Sequence, residues 1–217
     1  MILEQGELIA KGAEAIIYEG SFLDIPIILK QRIKKNYRLP KIDEEIRKQR
    51  LRAEARVMIL AWKKCVNVPV LLGIDVINQT LIIEKIQGDL LFSLLESIPY
   101  SELREIFQSL GKQVAVLHKN DIIHGDLTVF NIIVNQEKKA WLIDFGLGNI
   151  SLEIEKQADD LLSFFNTLKA ITPKFKELFN DFKNGYVQIY EQGKKIFEHV
   201  KKIQSRARYI AREDRIE

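Results

Sequence analysis

The sequence predicts an α+β protein of two lobes, a small antiparallel β-sheet with one long helix followed by a reduced, mostly helical lobe. Short apolar runs separated by turn residues fill residues 2–30 and 68–86, a pattern that indicates strands. Between them, residues 43–64 contain no Gly or Pro and carry apolar residues at helical spacing. Helical spacing also marks residues 101–117 in the second half.

Length and these shifts of pattern suggest where the lobes meet. The 217 residues suffice for one large domain or two small lobes. Gln87 and Gly88 end the second run of predicted strands. We therefore expect an N-terminal lobe at 1–87, a C-terminal lobe at 88–205 and a charged tail at 206–217.

Charge is distributed unevenly along a chain of ordinary composition. The residues are 47% hydrophobic and 29% charged, and the net charge of +3 does not by itself indicate a nucleic-acid-binding protein. Residues 30–56 hold eleven Lys and Arg against four Asp and Glu, a net charge of +7, and residues 194–217 hold eight against four, a net charge of +4. The remainder is acidic. Two basic segments indicate either anionic partners, such as nucleotide, RNA or an acidic protein surface, or solvated helix faces.

The cysteine count, the N-terminal residues and the length of the apolar runs bear on the cellular compartment. Cys65 is the single cysteine, so no intramolecular disulfide can form, as suits a reducing cytosol. The N-terminus does not have the pattern of a signal peptide, and no apolar run reaches the ~18 residues that span a bilayer. We expect a cytoplasmic protein that makes no membrane contact.

The first predicted turn is a candidate phosphate-binding loop. Gly12, Ala13, Glu14 and Ala15 separate two predicted strands, and small residues allow backbone N–H groups to approach phosphates. Because the turn has one glycine, an ordinary hairpin is the alternative.

A lysine and a glutamate form the next candidate pair. Lys30 ends the third predicted strand, and Glu54 lies in the middle of the following helix, for which Asp43 is the predicted N-cap. Phosphoryl-transfer enzymes use a strand lysine, held by a helix glutamate, to position nucleotide phosphates. The alternatives are a solvated lysine and an exposed glutamate that pairs along its own helix.

A candidate adenine-binding segment precedes Gly88. Glu84 to Ile86 end the last predicted strand of the N-terminal lobe. An adenine ring needs backbone donors and acceptors between apolar walls, so this segment could be the nucleotide hinge. The alternative is a plain linker between the lobes.

The polar residues with the clearest chemistry follow the long helix of the second lobe. The order is H-G-D-x-x-x-x-N, a short hairpin and D-F-G, which places Asp126, Asn131 and Asp144 in sequence. Asp126 can accept the proton of an attacking hydroxyl, while Asn131 and Asp144 offer the oxygen ligands that Mg²⁺ prefers. His124 is expected to pack beneath the loop and bond the backbone near Asp144. Loop residues of these types are common, but this order is not.

Taken together, these motifs resemble the eukaryotic-like protein kinase superfamily, which implies a two-lobed protein-kinase-like fold. The resemblance covers essentially the whole chain and implies that ATP and Mg²⁺ are bound. Two departures from the pattern of this superfamily narrow the resemblance to a smaller group. Gly125 stands where most protein kinases have Arg, which indicates that phosphorylation of an activation loop does not control the site. No A-P-E follows D-F-G, and the C-terminal part is too short for a peptide-binding platform.

The compact form resembles the small RIO-related Ser/Thr kinases of the KEOPS (EKC) tRNA-modification complex, the PRPK family. Four stretches carry this resemblance: 12–15 (GAEA), 35–43 (KNYRLPKID), 52–56 (RAEAR) and 123–131 (IHGDLTVFN). The Tyr-Arg-x-Pro-x-x-Asp run is the most specific, because general kinases lack it. A Lys-x-x-Asp element after D-F-G is matched at 156–159, which implies that Asp159 braces the catalytic loop.

The family resemblance implies a site and a set of partners. The implied catalytic residues are Lys30, Glu54 and Asp126; the implied ATP-binding residues are Gly12, Ala13, Glu14, Ala15, Lys30, Glu84, Ile86, Asn131 and Asp144; the implied metal ligands are Asn131 and Asp144. The implied partners are the ASKHA-fold threonylcarbamoyltransferase subunit of KEOPS, a small KEOPS subunit, and tRNA through the basic C-terminal tail. ATP hydrolysis would support threonylcarbamoyladenosine formation. The alternatives are a small-molecule phosphotransferase of the aminoglycoside or choline type, and a catalytically silent regulatory scaffold.

Overall fold

The computed structural model describes the backbone of residues 3–213, with the side chains of residue 4 and residues 6–205. In this part the strands are β1 (Leu3–Lys11), β2 (Ala15–Phe22), β3 (Ile25–Arg32), β4 (Leu71–Asp75), β5 (Thr80–Glu84), β6 (Gly88–Leu90), β7 (Ile122–Ile123), β8 (Ile132–Asn135), β9 (Ala140–Leu142) and β10 (Asn149–Ile150). The helices are α1 (Pro40–Lys63), α2 (Leu91–Leu94), α3 (Tyr100–Lys119), α4 (Ile154–Ile171), α5 (Phe175–Ile189) and α6 (Gly193–Glu213).

The first five strands form one antiparallel sheet in the order β1-β2-β3-β5-β4. Residue Lys30 of β3 lies opposite Ile17 on β2 and Leu81 on β5. Helix α1 packs near this sheet through a buried face that includes Leu51 and Met58. The five-stranded antiparallel sheet with one long helix confirms the predicted α+β fold.

The start of α1 differs from the prediction. The helix begins at Pro40, and Leu39 occupies the N-cap position with extended backbone and no side-chain capping bond. Proline fits the first turn because its missing N–H would have no partner there. The prediction that Asp43 is the N-cap is therefore wrong. Asp43 is instead a fully buried residue of the first turn. Its carboxylate accepts a bond from Arg47 Nε at 2.8 Å and pairs with Arg38 Nη1 at 3.5 Å, which organises the loop before α1.

The second half contains two small sheets and a helical core. Strands β6, β8 and β9 form one sheet, and β7 pairs with β10. Helices α3 and α5 cross at two glycines: a Cβ on Gly111 would overlap the Phe182 carbonyl, and one on Gly185 would overlap the Gln108 carbonyl. Their backbones therefore pack in direct contact, and the loop at residues 124–131 follows α3 and β7.

The C-terminal helix α6 runs without a break across the predicted boundary between residues 205 and 206. The predicted basic tail at 206–217 lies outside the described side chains, and its last four residues lie outside the described backbone. Among the described residues, no helix is both long and apolar enough to cross a membrane.

Candidate active site

Lys30, Glu54 and Asp144 meet where β3, α1 and the segment after β9 converge. Lys30 Nζ donates to Glu54 Oε1 and to Asp144 Oδ1, each at 2.6 Å. Lys30 and Glu54 are buried, with 7% and 2% of their surface exposed, so the predicted pair is not a solvated surface contact. Burial lowers the pKa of Lys30, but the two carboxylates outweigh it, so that the pKa lies above its ordinary value and the amine stays charged.

Sequence reasoning missed a second cation at this point, Arg32. Its Nη2 donates to Glu54 Oε2, so each oxygen of Glu54 binds a different cation. Since side chains two residues apart in a strand share a face, the spacing of Lys30 and Arg32 could have revealed it.

Two adjoining cavities open on this cluster. The inner cavity, of about 340 Å³, is mostly apolar and includes Glu84, Lys85 and Ile86 in its wall. The outer cavity, of about 330 Å³, lies beneath the 12–15 turn and contains the Asp126 side chain. The predicted hinge segment thus lines the inner cavity and the predicted phosphate loop lines the outer one, and Lys30 and Asp144 lie in the wall of both.

The 12–15 turn is tied to α1. Arg50 Nη1 binds Glu14 Oε2 at 2.5 Å, and Lys35 Nζ donates to the Ala13 carbonyl. Gly12 N–H donates to the Ala15 carbonyl at 2.9 Å, which closes the turn. The ion pair with Arg50 and the hydrogen bond from Lys35 tether the turn, whose residues line the outer cavity.

Asp126 and Asn131 are joined by hydrogen bonds within the H-G-D loop, residues 124–131. Asn131 Nδ2 donates to the Asp126 backbone carbonyl and to Asp126 Oδ2, both at 2.9 Å. This leaves Asn131 Oδ1 available, and Asp144 Oδ2 is likewise not used by the bonds that Lys30 and the Gly146 N–H make to Oδ1. Both side chains line the inner cavity. Amide and carboxylate oxygens fit Mg²⁺, which takes one or two protein oxygens together with phosphates and water.

His124 lies buried beneath the loop, as predicted. Its Nε2 is 3.1 Å from the Ile143 carbonyl, next to Asp144, and the Asp126 N–H approaches its Nδ1 at 3.3 Å. Since a carbonyl only accepts, Nε2 carries the proton and Nδ1 accepts. Burial lowers the pKa of His124 despite the nearby carboxylates, so the ring is neutral and supports the loop.

The residue that braces the loop is Asp160, and the expectation for Asp159 is wrong. Asp160 Oδ2 accepts the His124 N–H at 2.7 Å and Oδ1 accepts the Gly125 N–H at 2.8 Å. Asp160 is buried, whereas Asp159 points to the exposed side of α4. Successive side chains of an α-helix point in directions about 100° apart, so only one of these two neighbours faces the loop.

Asp160 also belongs to a buried polar chain that the sequence did not reveal. His118 Nε2 lies 3.2 Å from Asp160 Oδ2, and the Tyr186 hydroxyl lies 2.7 Å from His118 Nδ1. These bonds link α5 through α3 to α4 and so to the loop backbone. Because the three residues are far apart in sequence, spacing carried no signal of the contact.

Replacing Asp160 by asparagine is expected to lower the free energy of unfolding at pH 7 by about 3 kcal/mol, since one loop N–H loses its acceptor and His118 loses a carboxylate. Burial raises the pKa of Asp160, but the His118 ring and the His124 N–H outweigh it, so the pKa is lower than in the unfolded chain. The stabilisation is therefore complete above the ordinary aspartate pKa of about 3.9 and is lost as the pH falls through the folded-state value.

Urea unfolding of the wild type and Asp160→Asn from pH 7 down to pH 3 checks this prediction. The difference between the two proteins should shrink toward the acid end. Asp159→Asn is the matched control because that neighbour is exposed and makes no bond to the loop. Equal losses in both variants, or a loss that does not depend on pH, would contradict the prediction.

The antiparallel sheet, the lysine–glutamate pair and the braced H-G-D loop define the kinase-like class of proteins. The RIO domain family model matches residues 29–163, which is more than half of the chain. The chain belongs to the RIO domain family.

Individual relatives match over nearly the whole chain. It is 38% identical to KEOPS complex subunit Bud32 of Pyrococcus abyssi, over 95% of this chain and 97% of that protein. It is 39% identical to the probable bifunctional tRNA threonylcarbamoyladenosine biosynthesis protein of Methanocaldococcus jannaschii, over 94% of this chain and 37% of that protein. The protein of the same name from Methanosphaera stadtmanae is 37% identical, with 92% and 36% covered. The chain thus spans little more than a third of these two bifunctional relatives.

Proposed function

We propose that the protein is an Mg-ATP-dependent Ser/Thr kinase and ATPase that works as the kinase subunit of a KEOPS-type assembly for threonylcarbamoyladenosine formation in tRNA. The observation that carries the chemistry is the convergence of Lys30, Glu54, Asp126, Asn131 and Asp144 on two adjoining cavities. The place in an assembly is supported by the relatives whose names contain KEOPS and threonylcarbamoyladenosine biosynthesis.

In this proposal the nucleotide spans both cavities. The adenine ring occupies the apolar inner cavity against the backbone of Glu84 to Ile86, and the phosphates extend past Lys30 beneath the 12–15 turn. Asn131 Oδ1 and Asp144 Oδ2 would hold Mg²⁺, which neutralises phosphate charge when it is bound. Glu54 keeps the Lys30 side chain in position through its bond to Lys30 Nζ.

Asp126 acts on the nucleophile. Its carboxylate orients an attacking hydroxyl, from a Ser or Thr side chain or from water, and takes its proton. The hydroxyl oxygen forms a bond to the γ-phosphorus as the bond to the β–γ bridging oxygen breaks, and ADP leaves. Asn131 fixes the direction of the Asp126 side chain through its bond to Oδ2.

The partners follow from the same relatives. In the two bifunctional proteins the matched region is joined to a longer chain, which supports a close working contact between this kinase and a second tRNA-modifying activity. We assign that activity to an ASKHA-fold threonylcarbamoyltransferase subunit, with a small KEOPS subunit as a further partner. The basic tail at 206–217 would contact tRNA.

The direct test is ATP turnover by the protein alone, with the ASKHA-fold subunit, and with that subunit plus tRNA. We expect turnover to rise as the partner and tRNA are added. Absence of turnover in all three mixtures, with nucleotide binding retained, would instead support a silent scaffold.

Reversing the charge of the tail with Arg206→Glu and Arg208→Glu is expected to weaken tRNA-stimulated turnover and RNA binding. Each lost phosphate contact should reduce the slope of log affinity against log salt by about 0.9. The matched control is Lys194→Glu with Lys195→Glu, which makes the same charge change at the start of α6. An unchanged salt slope in the Arg206/Arg208 variant would rule out RNA contact by the tail.

A further inference from the structure

Arg32 is a buried cation with unused donor capacity at the phosphate end of the site. Only 4% of its side-chain surface is exposed, and its Nη2 binds Glu54 Oε2. Its Nε is also buried, and has no hydrogen-bond partner among the described residues. Since a buried guanidinium without its full set of acceptors is costly, a ligand that accepts hydrogen bonds would complete it.

Arg32 lies further along the site than Lys30. Lys30 lines both cavities, whereas Arg32 lines only the outer one, together with Asp126. A methyl group on Gly146 would lie 3.6 Å from Lys30 Nζ and 3.8 Å from Arg32 Nη2, so both cations face the same stretch of backbone. A nucleotide whose base fills the inner cavity would pass Lys30 first, and its last phosphate would reach Arg32.

Lys30 and Arg32 face two carboxylates, so the four groups together are formally neutral, and it is the unused donors of Arg32 that favour a ligand. Glu54 is shared by the two cations. Lys30 has a second carboxylate in Asp144, whereas Arg32 has no carboxylate besides Glu54 among the described residues. The planar guanidinium of Arg32 matches the oxygens of a phosphate group better than a lysine does.

We propose that Arg32 is a specificity-determining residue that binds the terminal phosphate of a nucleoside triphosphate, so that the site prefers ATP over ADP. This inference rests on the proposed ATP-dependent function. The competing role is purely structural: Arg32 would only fasten α1 to β3 through Glu54. The two roles differ in one measurable quantity, the ratio of the affinities for ATP and ADP.

Calorimetric binding of a non-hydrolysable ATP analogue and of ADP, both with Mg²⁺, measures this ratio. We expect Arg32→Gln to weaken binding of the ATP analogue by on the order of tenfold and to leave the affinity for ADP nearly unchanged. Arg32→Lys keeps the charge and should retain part of the preference. Arg47→Gln is the matched control, because Arg47 fastens the first turn of α1 through Asp43 and lines neither cavity; its affinity ratio should equal that of the wild type.

An equal loss of affinity for both ligands in Arg32→Gln, or no loss for either, would overturn the inference, while the proposed ATP-dependent function of the wild type would stand. If Arg32→Gln does not fold, Arg32→Lys decides the matter: a reduced ratio supports the inference and an unchanged ratio overturns it. A wild-type protein that binds neither ligand would overturn the proposed function, and the inference with it.

Discussion

Replacement of Asp126 by alanine is expected to reduce ATP turnover by about 10²–10⁴-fold, because the nucleophile loses the group that takes its proton. Folding and nucleotide binding should remain largely intact. The loop backbone is held by Asp160 through the His124 and Gly125 N–H groups, and these bonds do not involve the Asp126 side chain. Asn131 would lose one of its two acceptors and keep the other, the backbone carbonyl.

Turnover should be measured under saturating Mg-ATP, with nucleotide affinity and urea unfolding recorded on the same samples. Asp159→Ala is the matched control, since it removes an aspartate from the exposed face of α4. Near-normal turnover by Asp126→Ala would exclude the proposed role. Loss of turnover together with loss of nucleotide binding would show instead that Asp126 is needed to form the site.

Replacement of Gly125 by alanine is expected to lower the free energy of unfolding by about 2–6 kcal/mol and to inactivate the protein. Gly125 has φ +83°, a conformation that costs other residues about 1–3 kcal/mol. An added Cβ would also overlap the Leu147 carbonyl, which must then move, at a further cost of about 1–3 kcal/mol. The displacement would reach Asp126 on one side and the D-F-G segment on the other.

Urea unfolding and ATP turnover of Gly125→Ala check this prediction. Gly12→Ala is the control for stability: its Cβ would meet the Ala15 carbonyl at an ordinary 3.6 Å, and its φ is not positive. We expect that control to unfold within about 0.5 kcal/mol of the wild type. A Gly125→Ala protein of wild-type stability would show that the loop can relax away from Leu147 without cost.

The parts of the fold that could be predicted are those whose signal is local. Short apolar runs between turn residues predicted the strands of the five-stranded sheet, and helical spacing of apolar residues predicted α1, because both signals are carried by neighbouring residues. The motif order brought Lys30, Glu54, Asp126 and Asp144 to attention, and the structure places them within one site. Their catalytic roles stay predictions.

Other features could not be predicted because they depend on tertiary contacts. Asp43 has the residue type of an N-cap, but burial among basic side chains from the preceding loop and the next turn decides its position. Asp159 and Asp160 are adjacent in the sequence, and only the orientation of α4 determines which of them reaches the loop. The contact between His118 and Tyr186 joins two helices whose sequences give no sign of pairing.

The attachment of the 12–15 turn to α1 has a mechanical consequence. The same helix carries Arg50, which binds Glu14 of the turn, and Glu54, which binds Lys30 in the wall shared by the two cavities. These two anchors are four residues apart and so lie one above the other on the helix surface. The 12–15 turn is bonded to α1 through an exposed ion pair and Lys30 through a buried one, so we expect a shift of α1 to move the lysine closely and the turn more loosely.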